Sequence, residues 1–224
     1  MLTYIKNQVK IFFIFELLAP LHEHAMNFIK RFFGLEEKED DKEEERGKFM
    51  PKPDQPVDEL FMHNFRENGG KFLYCENDDE LHHCFRQILD ENGWNQKLAY
   101  YYSAATAKKF EAHDIKFTNQ PKNSDFFITN CEYLIGDTGA VLISSKQIGD
   151  KKLEDLPYHF VVIARTSQLL ETIGEGLQQM KAKHRNSIPS NITTLKTFEN
   201  KDQSDFLSYG STTKNLYLLL LEDL

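Results

Sequence analysis

From Val57 onward, short apolar runs alternate with amphipathic segments of helical period, and this order constrains the fold more than any other feature of the chain. The run Tyr158 to Ala164, YHFVVIA, is near-continuous in apolar character, as in a strand covered on both faces. Strands interleaved with helices of ten or more residues require crossover connections. They predict an α/β fold with an open, largely parallel sheet and helices on both faces.

The elements follow in order. Val57, Leu60, Phe61 and Phe65 recur at helical spacing, Gly69-Gly70 stops that helix, and Lys71 to Cys75 is a strand. Asn77 or Asp78 caps the next helix, whose stripe Leu81, Cys84, Phe85, Ile88 and Leu89 runs to Asn92-Gly93. Leu98 to Tyr102 is a strand, Ser103 caps a short helix through Ala112, and Ile115 to Phe117 is a brief strand. Phe126 to Ile135 and Ala140 to Ser145 are read as two further strands. Ser167 caps a helix carrying Leu169, Leu170, Ile173 and Leu177. Ile192 to Phe198 and Leu216 to Leu221 close the chain as strands, with a short helix near Asp202 to Leu207 between them.

Ahead of this domain the composition changes. Ile11 to Phe15 is far shorter than the ~18 apolar residues of a membrane-spanning helix. Glu16 interrupts it, and His22-Glu23-His24 stands where an export signal needs small residues. Residues 1–25 are therefore expected to be an extension ahead of a true start at Met26. From Met26, Phe28, Ile29, Phe32 and Phe33 form one face of a basic helical arm, with Lys30 and Arg31 opposite. The acidic run Glu36 to Arg46 and the three prolines between Gly47 and Pro56 make a solvated linker. Residues 26–56 are thus arm and linker, and 57–224 are the folded domain.

Charge and cysteine use narrow the function. A net charge of −8 argues against a nucleic-acid surface, because phosphate binding draws its affinity from clustered Lys and Arg. The three cysteines, Cys75, Cys84 and Cys131, show no C-x-x-C spacing and sit among apolar residues, so they read as small buried hydrophobes. No iron–sulfur or paired-cysteine zinc pattern is present, and a reducing cytoplasm fits the thiols. Adjacent His82 and His83 point about 100° apart on a helix, a poor arrangement for a metal. No metal and no cofactor is expected.

The motif that draws attention is Gly136-Asp137-Thr138-Gly139, a tight polar corner between two apolar strands. Glycine at both ends permits positive φ or close backbone approach. The Asp137 carboxylate and Thr138 hydroxyl either face a ligand or cap the turn. Ligands in open α/β sheets bind at the carboxyl ends of strands. The corner and the turn from Tyr209 to Lys214 are read as two such places.

With these pieces in order the chain resembles the lactate-utilisation (LUD) domain family, specifically its C-type subunit. The matching segments are Phe65 to Tyr74 (FRENGGKFLY), Asp137-Thr138-Gly139 in place of a family E-T-G, Leu156 to Val162, Pro189 to Thr193, and the strand Leu216 to Leu221. The family is similar in fold to the sugar-phosphate isomerase and CoA-transferase superfamily. Two segments depart from its pattern. Thr197 to Phe206 lacks a Gly-Pro-Ser loop, and Tyr209 to Thr213 lacks the histidine of a G-V-H-G-P turn. The resemblance implies a cytoplasmic, accessory, non-redox subunit of an L-lactate oxidation system, beside iron–sulfur oxidoreductase subunits. Two alternatives stay open. In one, the protein is an isomerase or acyl-transfer-like enzyme acting on a small anionic metabolite, with Asp137 as base or nucleophile, Thr138 and Gly139 orienting substrate, and Lys214 or Lys146 neutralising the anion. In the other, it is a structural or regulatory member whose site has decayed.

Overall fold

The helix with the clearest apolar stripe is where the fold is most easily built. In the computed structural model, which describes residues 56–185, 187–196 and 214–223, that stripe belongs to α2. The elements before it are α1 (Val57–Glu67) and β1 (Lys71–Cys75), and α2 spans Asp78–Asn92. The Asn77 side chain accepts from the Glu80 N–H at 3.0 Å, satisfying an orphan donor of the first turn. Gly93, at φ +65°, ends the helix in the left-handed region that glycine adopts most cheaply. Leu81, Phe85, Ile88 and Leu89 are all buried. They pack with Cys75, Trp94, Phe126, Val161, Tyr217 and Leu219 in one cluster.

The remaining elements are β2 (Leu98–Tyr100), α3 (Ala104–Lys109), β3 (Lys116–Thr118), β4 (Phe126–Asn130), β5 (Tyr133–Ile135) and β6 (Ala140–Ser144). These are followed by α4 (Ser145–Ile148), β7 (His159–Arg165), β8 (Leu169–Leu170), α5 (Ile173–Lys183), β9 (Ile192–Leu195) and β10 (Asn215–Leu221). Among the described residues a six-stranded sheet has the order β1-β10-β7-β4-β2-β3. Every neighbouring pair in it is parallel. The α/β class and its parallel sheet are as the alternation predicts.

Burial on both faces follows from the two-residue period of the central strands. In β10, Tyr217, Leu219 and Leu221 join the α2 cluster, while the intervening Leu216, Leu218 and Leu220 are also buried. A strand with no solvent face has no use for polar alternation, hence the run LYLLLL.

Several expected elements need correction. The run Phe126 to Ile135 is not one strand: β4 ends at Asn130, and β5 belongs to a second, four-stranded sheet of order β8-β5-β6-β9. Cys131 and Glu132 carry the chain across between them. Leu169 and Leu170 are not helical. They form β8, paired parallel with β5, and Thr172, rather than Ser167, caps α5 through the Glu175 N–H at 3.3 Å. The strand at Ile192 lies in the second sheet, antiparallel to β6. His82 and His83 are half-buried: His82 Nδ1 lies 2.9 Å from His113 Nε2, and His83 meets Gln87 at 3.2 Å. Helix α1 is shared, packing against β1 of the first sheet and against β6 and β8 of the second. The expected extension, the arm and its linker up to residue 55, and the helix near residue 202 lie outside the described residues. Among the described residues no helix is long and apolar enough to cross a membrane.

Candidate functional site

The segment that leaves the parallel sheet carries a deeply buried acid, Glu132. Beyond β4, the Glu132 N–H joins the second sheet through the Leu142 carbonyl at 2.8 Å. The Gln168 side-chain amide donates to the carbonyls of Cys131 at 2.8 Å and Glu132 at 2.9 Å. The Glu132 side chain, only 2% exposed, is thereby turned inward.

Its carboxylate is fully partnered. Oε1 accepts from Ser144 Oγ at 2.8 Å and from Gln147 Nε2 at 3.2 Å. Oε2 lies 3.3 Å from His184 Nε2 and 3.6 Å from Lys183 Nζ. Ser144 and Gln147 also form the capping box of α4: the Ser144 N–H donates to Gln147 Oε1, and Ser144 Oγ accepts from the Lys146 N–H. One carboxylate therefore fixes the element bearing Lys146 and the element bearing Lys183 and His184. Burial alone would raise its proton affinity, but the hydrogen bonds from Ser144, Gln147 and His184 and the Lys183 charge more than offset that. The Glu132 carboxyl is held below its ordinary range.

This cluster forms one wall of a cleft of about 680 Å³ at the carboxyl ends of β4, β7 and β10. Asn130, Arg165 and Leu221 mark those strand ends, and α3 supplies Thr106 and Lys109. The position obeys the rule for ligand sites in open α/β sheets. Four cationic side chains converge on it: Lys109, Lys146, Arg165 and Lys183. Three have carboxylate partners, Lys109 with Asp78 at 2.6 Å, Arg165 with Asp223 at 3.5 Å and Lys183 with Glu132. Lys146 reaches only the Ser187 hydroxyl, at 3.4 Å, and has no carboxylate partner among the described residues.

The arrangement favours charge recognition over proton transfer. A carboxylate held below its ordinary range is a weak base, and Glu132 already accepts from several donors. Burial pushes the Cys131 thiol up to about 12, so at neutral pH it is not a thiolate. Cys75 and Cys84 are buried in the α2 cluster, away from the cleft lining. Among the described residues no three His, Cys, Asp or Glu side chains gather as a metal site.

The residues singled out by motif lie elsewhere. Gly136 to Gly139 do not line the cleft; they form the turn of the antiparallel hairpin β5–β6, in the second sheet and not at a strand end of the six-stranded sheet. The backbone of that turn is a docking point for α1. Asn64 Nδ2 donates to the Gly136 and Asp137 carbonyls at 2.8 and 3.2 Å, and Asn68 Nδ2 donates to the Thr138 carbonyl at 2.7 Å. Gly139 has φ +61°, and a Cβ there would stand 2.3 Å from the backbone of Asn64 and Phe65. Both features expected of the glycines are thus present at this one. The Asp137 side chain is exposed, Thr138 is half-buried, and the hydroxyl-and-carboxylate pair stands apart from the cleft.

Lys214 is at the amino end of β10, one residue before the strand, and not at a carboxyl end. It is 3% exposed, and its ammonium donates to the carbonyls of Leu156 and Pro157, each at 3.0 Å. Burial pushes it down to about 8. Of the cations named from sequence, Lys146 alone lines the cleft. Glu132, Lys183, His184 and Arg165 carry no motif of their own. The legible signal was Ser144-x-x-Gln147, a capping-box spacing that announces a helix start behind the Ala140 strand.

Comparison with known families and structures bears on the whole domain. The LUD domain family matches residues 59–220. Among solved structures, a DUF162 family protein from Deinococcus radiodurans superposes with a TM-score of 0.53, covering 75% of this chain and 96% of that chain at 15% identity. At that identity the likeness is one of fold. Comparison with curated proteins gives no match.

Proposed function

The chain belongs to the LUD domain family, and from that membership we propose that it serves lactate utilisation as a non-redox protein that binds a small organic anion at the carboxyl ends of its parallel strands. One observation carries this reading. In a chain of net charge −8, four Lys and Arg side chains line a single cleft, and one of them has no carboxylate partner among the described residues. Cation clustering against the overall charge focuses a field that draws in anions. Glu132, the buried acid among them, is neutralised by its own partners and does not repel a ligand.

The chemistry of the cleft supports binding over catalysis, since its carboxylate and its thiol are both held in unreactive forms. This agrees with an accessory subunit beside iron–sulfur partners that carry the electrons, a role that rests on the family resemblance. The competing isomerase or acyl-transfer reading required Asp137 as base or nucleophile. That side chain stands apart from the cleft.

A thermal-shift titration tests the binding function. A ligand at a hundred times its dissociation constant adds roughly 2.7 kcal/mol of stability. Small carboxylates and phosphorylated metabolites should include at least one that raises the melting temperature of the parent chain and not of the Lys146→Ala, Lys183→Ala double variant. A parent chain that responds to none of them refutes an anion site here. Affinity capture from the native cell tests the accessory role separately, and failure to recover any iron–sulfur oxidoreductase would refute that part.

A further inference from the structure

Building on the anion site just described, we propose that the cleft takes an organic monocarboxylate with an apolar body longer than lactate, its carboxylate on Lys146. The ligand class follows from the charge balance of the cleft, its volume and the chemistry of its walls.

Charge sets the valence. Of the four cations, Lys109, Arg165 and Lys183 each have a carboxylate of the chain against them, at 2.6, 3.5 and 3.6 Å. Asp223 is further committed, accepting from Ser167 N at 2.9 Å, from Ser167 Oγ at 2.8 Å and from Thr166 Oγ1 at 3.0 Å. Four positive side chains against three negative ones leave one charge, on Lys146. A carboxylate matches it. A phosphate monoester brings about −1.5 to −2 at neutral pH, so its second charge must be met by breaking an existing pair.

Volume and wall chemistry set the body. At about 30 Å³ per water in the liquid, a three-carbon acid displaces on the order of five waters. The cleft of about 680 Å³, open to solvent on one side, is far larger. Its lining includes Ala105, Phe110, Ile163 and Leu221. The Phe110 ring is fully buried, and Ile163 packs against the α2 cluster. Ala105 and Ile163, the two of these lining residues that are not buried, have nothing to offer lactate's hydroxyl but suit an aliphatic chain. A ligand charged at one end and apolar at the other uses both kinds of wall.

The full chain is titrated calorimetrically with L-lactate, hexanoate, octanoate, hexanol, inorganic phosphate and glucose 6-phosphate. Hexanoate or octanoate should bind at least tenfold more tightly than lactate, hexanol and both phosphates. Lys146→Ala should weaken that binding tenfold or more. Lys146 is exposed, so this variant keeps its fold, and an unchanged melting temperature verifies it. If a phosphate binds best and Lys146→Ala abolishes it, the monocarboxylate is refuted while the anion site stands. If lactate matches the longer acids, the extended body is refuted alone. If hexanol matches hexanoate, or Lys146→Ala changes nothing, the carboxylate contact is refuted. If no anion binds, this proposal and the anion site both fall.

Discussion

Two glycines with nearly equal φ angles give a clean measurement of what holds the Gly136 corner to the rest of the domain. Gly93 ends α2 at φ +65° and has no heavy atom within 4 Å of the place a Cβ would occupy. Gly139 sits at φ +61°, but a Cβ there meets Asn64 C and Phe65 N at 2.3 Å and Asn64 O at 2.7 Å. In Gly93→Ala only the left-handed conformation is penalised, and that costs about 1 kcal/mol after the gain from a stiffer unfolded chain. Gly139→Ala carries the same penalty and a clash with backbone. To relieve it, α1 must retreat from 2.3 Å at least to the 3.0 Å that real Cβ contacts essentially never undercut. The retreat strains the Asn64 and Asn68 bonds to the corner, whose lengths are 2.8, 3.2 and 2.7 Å. Overpacking costs about 1–3 kcal/mol and each lost hydrogen bond about 1 kcal/mol, so Gly139→Ala should cost about 4 kcal/mol or more. For a domain of this size that lowers the melting temperature by on the order of 10 °C. Urea denaturation of both variants, with Asn64→Ala as a third, provides the measurement. Asn64→Ala should cost about 1–2 kcal/mol alone and much less on the Gly139→Ala background, because the two share one contact. If Gly139→Ala exceeds Gly93→Ala by less than about 1 kcal/mol, the corner does not seat α1 and the reasoning is wrong.

Glu132→Gln should destabilise the domain by about 1–3 kcal/mol at pH 7, because it weakens the buried acceptor of Ser144, Gln147 and His184 while Lys183, 55% exposed, stays solvated. The Glu132 carboxyl is held below its ordinary value of 4.5, so its contribution is complete above that value and is lost as pH falls through the lower folded value. Acid denaturation should accordingly show the stability gap between parent and variant closing below about pH 4.5. Burial brings Lys214 from 10.5 down to about 8, so its charge opposes folding at neutral pH. Relative to Lys214→Met, the parent should gain stability between pH 8 and 10.5, and a flat difference in denaturant melts across that window counts against the shift. Asp137→Ala and Asp137→Asn should each stay within about 0.5 kcal/mol of the parent, since the side chain is exposed and no described residue hydrogen-bonds its carboxylate. A loss above about 1 kcal/mol for Ala but not Asn in the same melts would mean that the carboxylate caps its turn.

The parallel sheet was legible because its central strands are buried on both faces, and nothing polar interrupts FVVIA or LYLLLL until the strand ends. The second sheet was not. Its strands β5 and β8 have three and two residues, too short for a period to declare itself. Phe126 to Ile135 reads as one run because Cys131 is apolar and a single Glu132 looks like an outward-facing residue. In the fold that acid is the buried centre of a five-residue cluster drawn from β6, α4 and α5. The corner misled for a related reason. Gly-Asp-Thr-Gly permits a ligand loop or a docking point equally, and the deciding contacts come from Asn64 and Asn68, some 70 residues earlier. Lys214 was readable from order alone: it precedes its strand, and in a parallel sheet the residue before a strand sits at the amino end.

Net charge speaks of solubility and of polyanion partners, and −8 argues against a nucleic-acid surface here. It says little about a site a few ångströms across, where the sign depends on which acids are already paired. Lys109, Arg165 and Lys183 come from three different segments, each held against an acid of its own, and the only one of those acids that is deeply buried is Glu132. Pairing narrows the arrangements these long side chains sample, Lys109 at 2.6 Å the most, which lowers the rotamer cost of anion binding. The carboxylates thus reduce the field of the cleft and preorganise it at once. Lys146 differs from the others: it is exposed and held by a single hydroxyl at 3.4 Å, yet it is anchored through α4 by the Ser144 and Gln147 capping box on Glu132. No acid of the described residues pairs with it, and its backbone is fixed. That is why an acidic protein can present one well-placed cation.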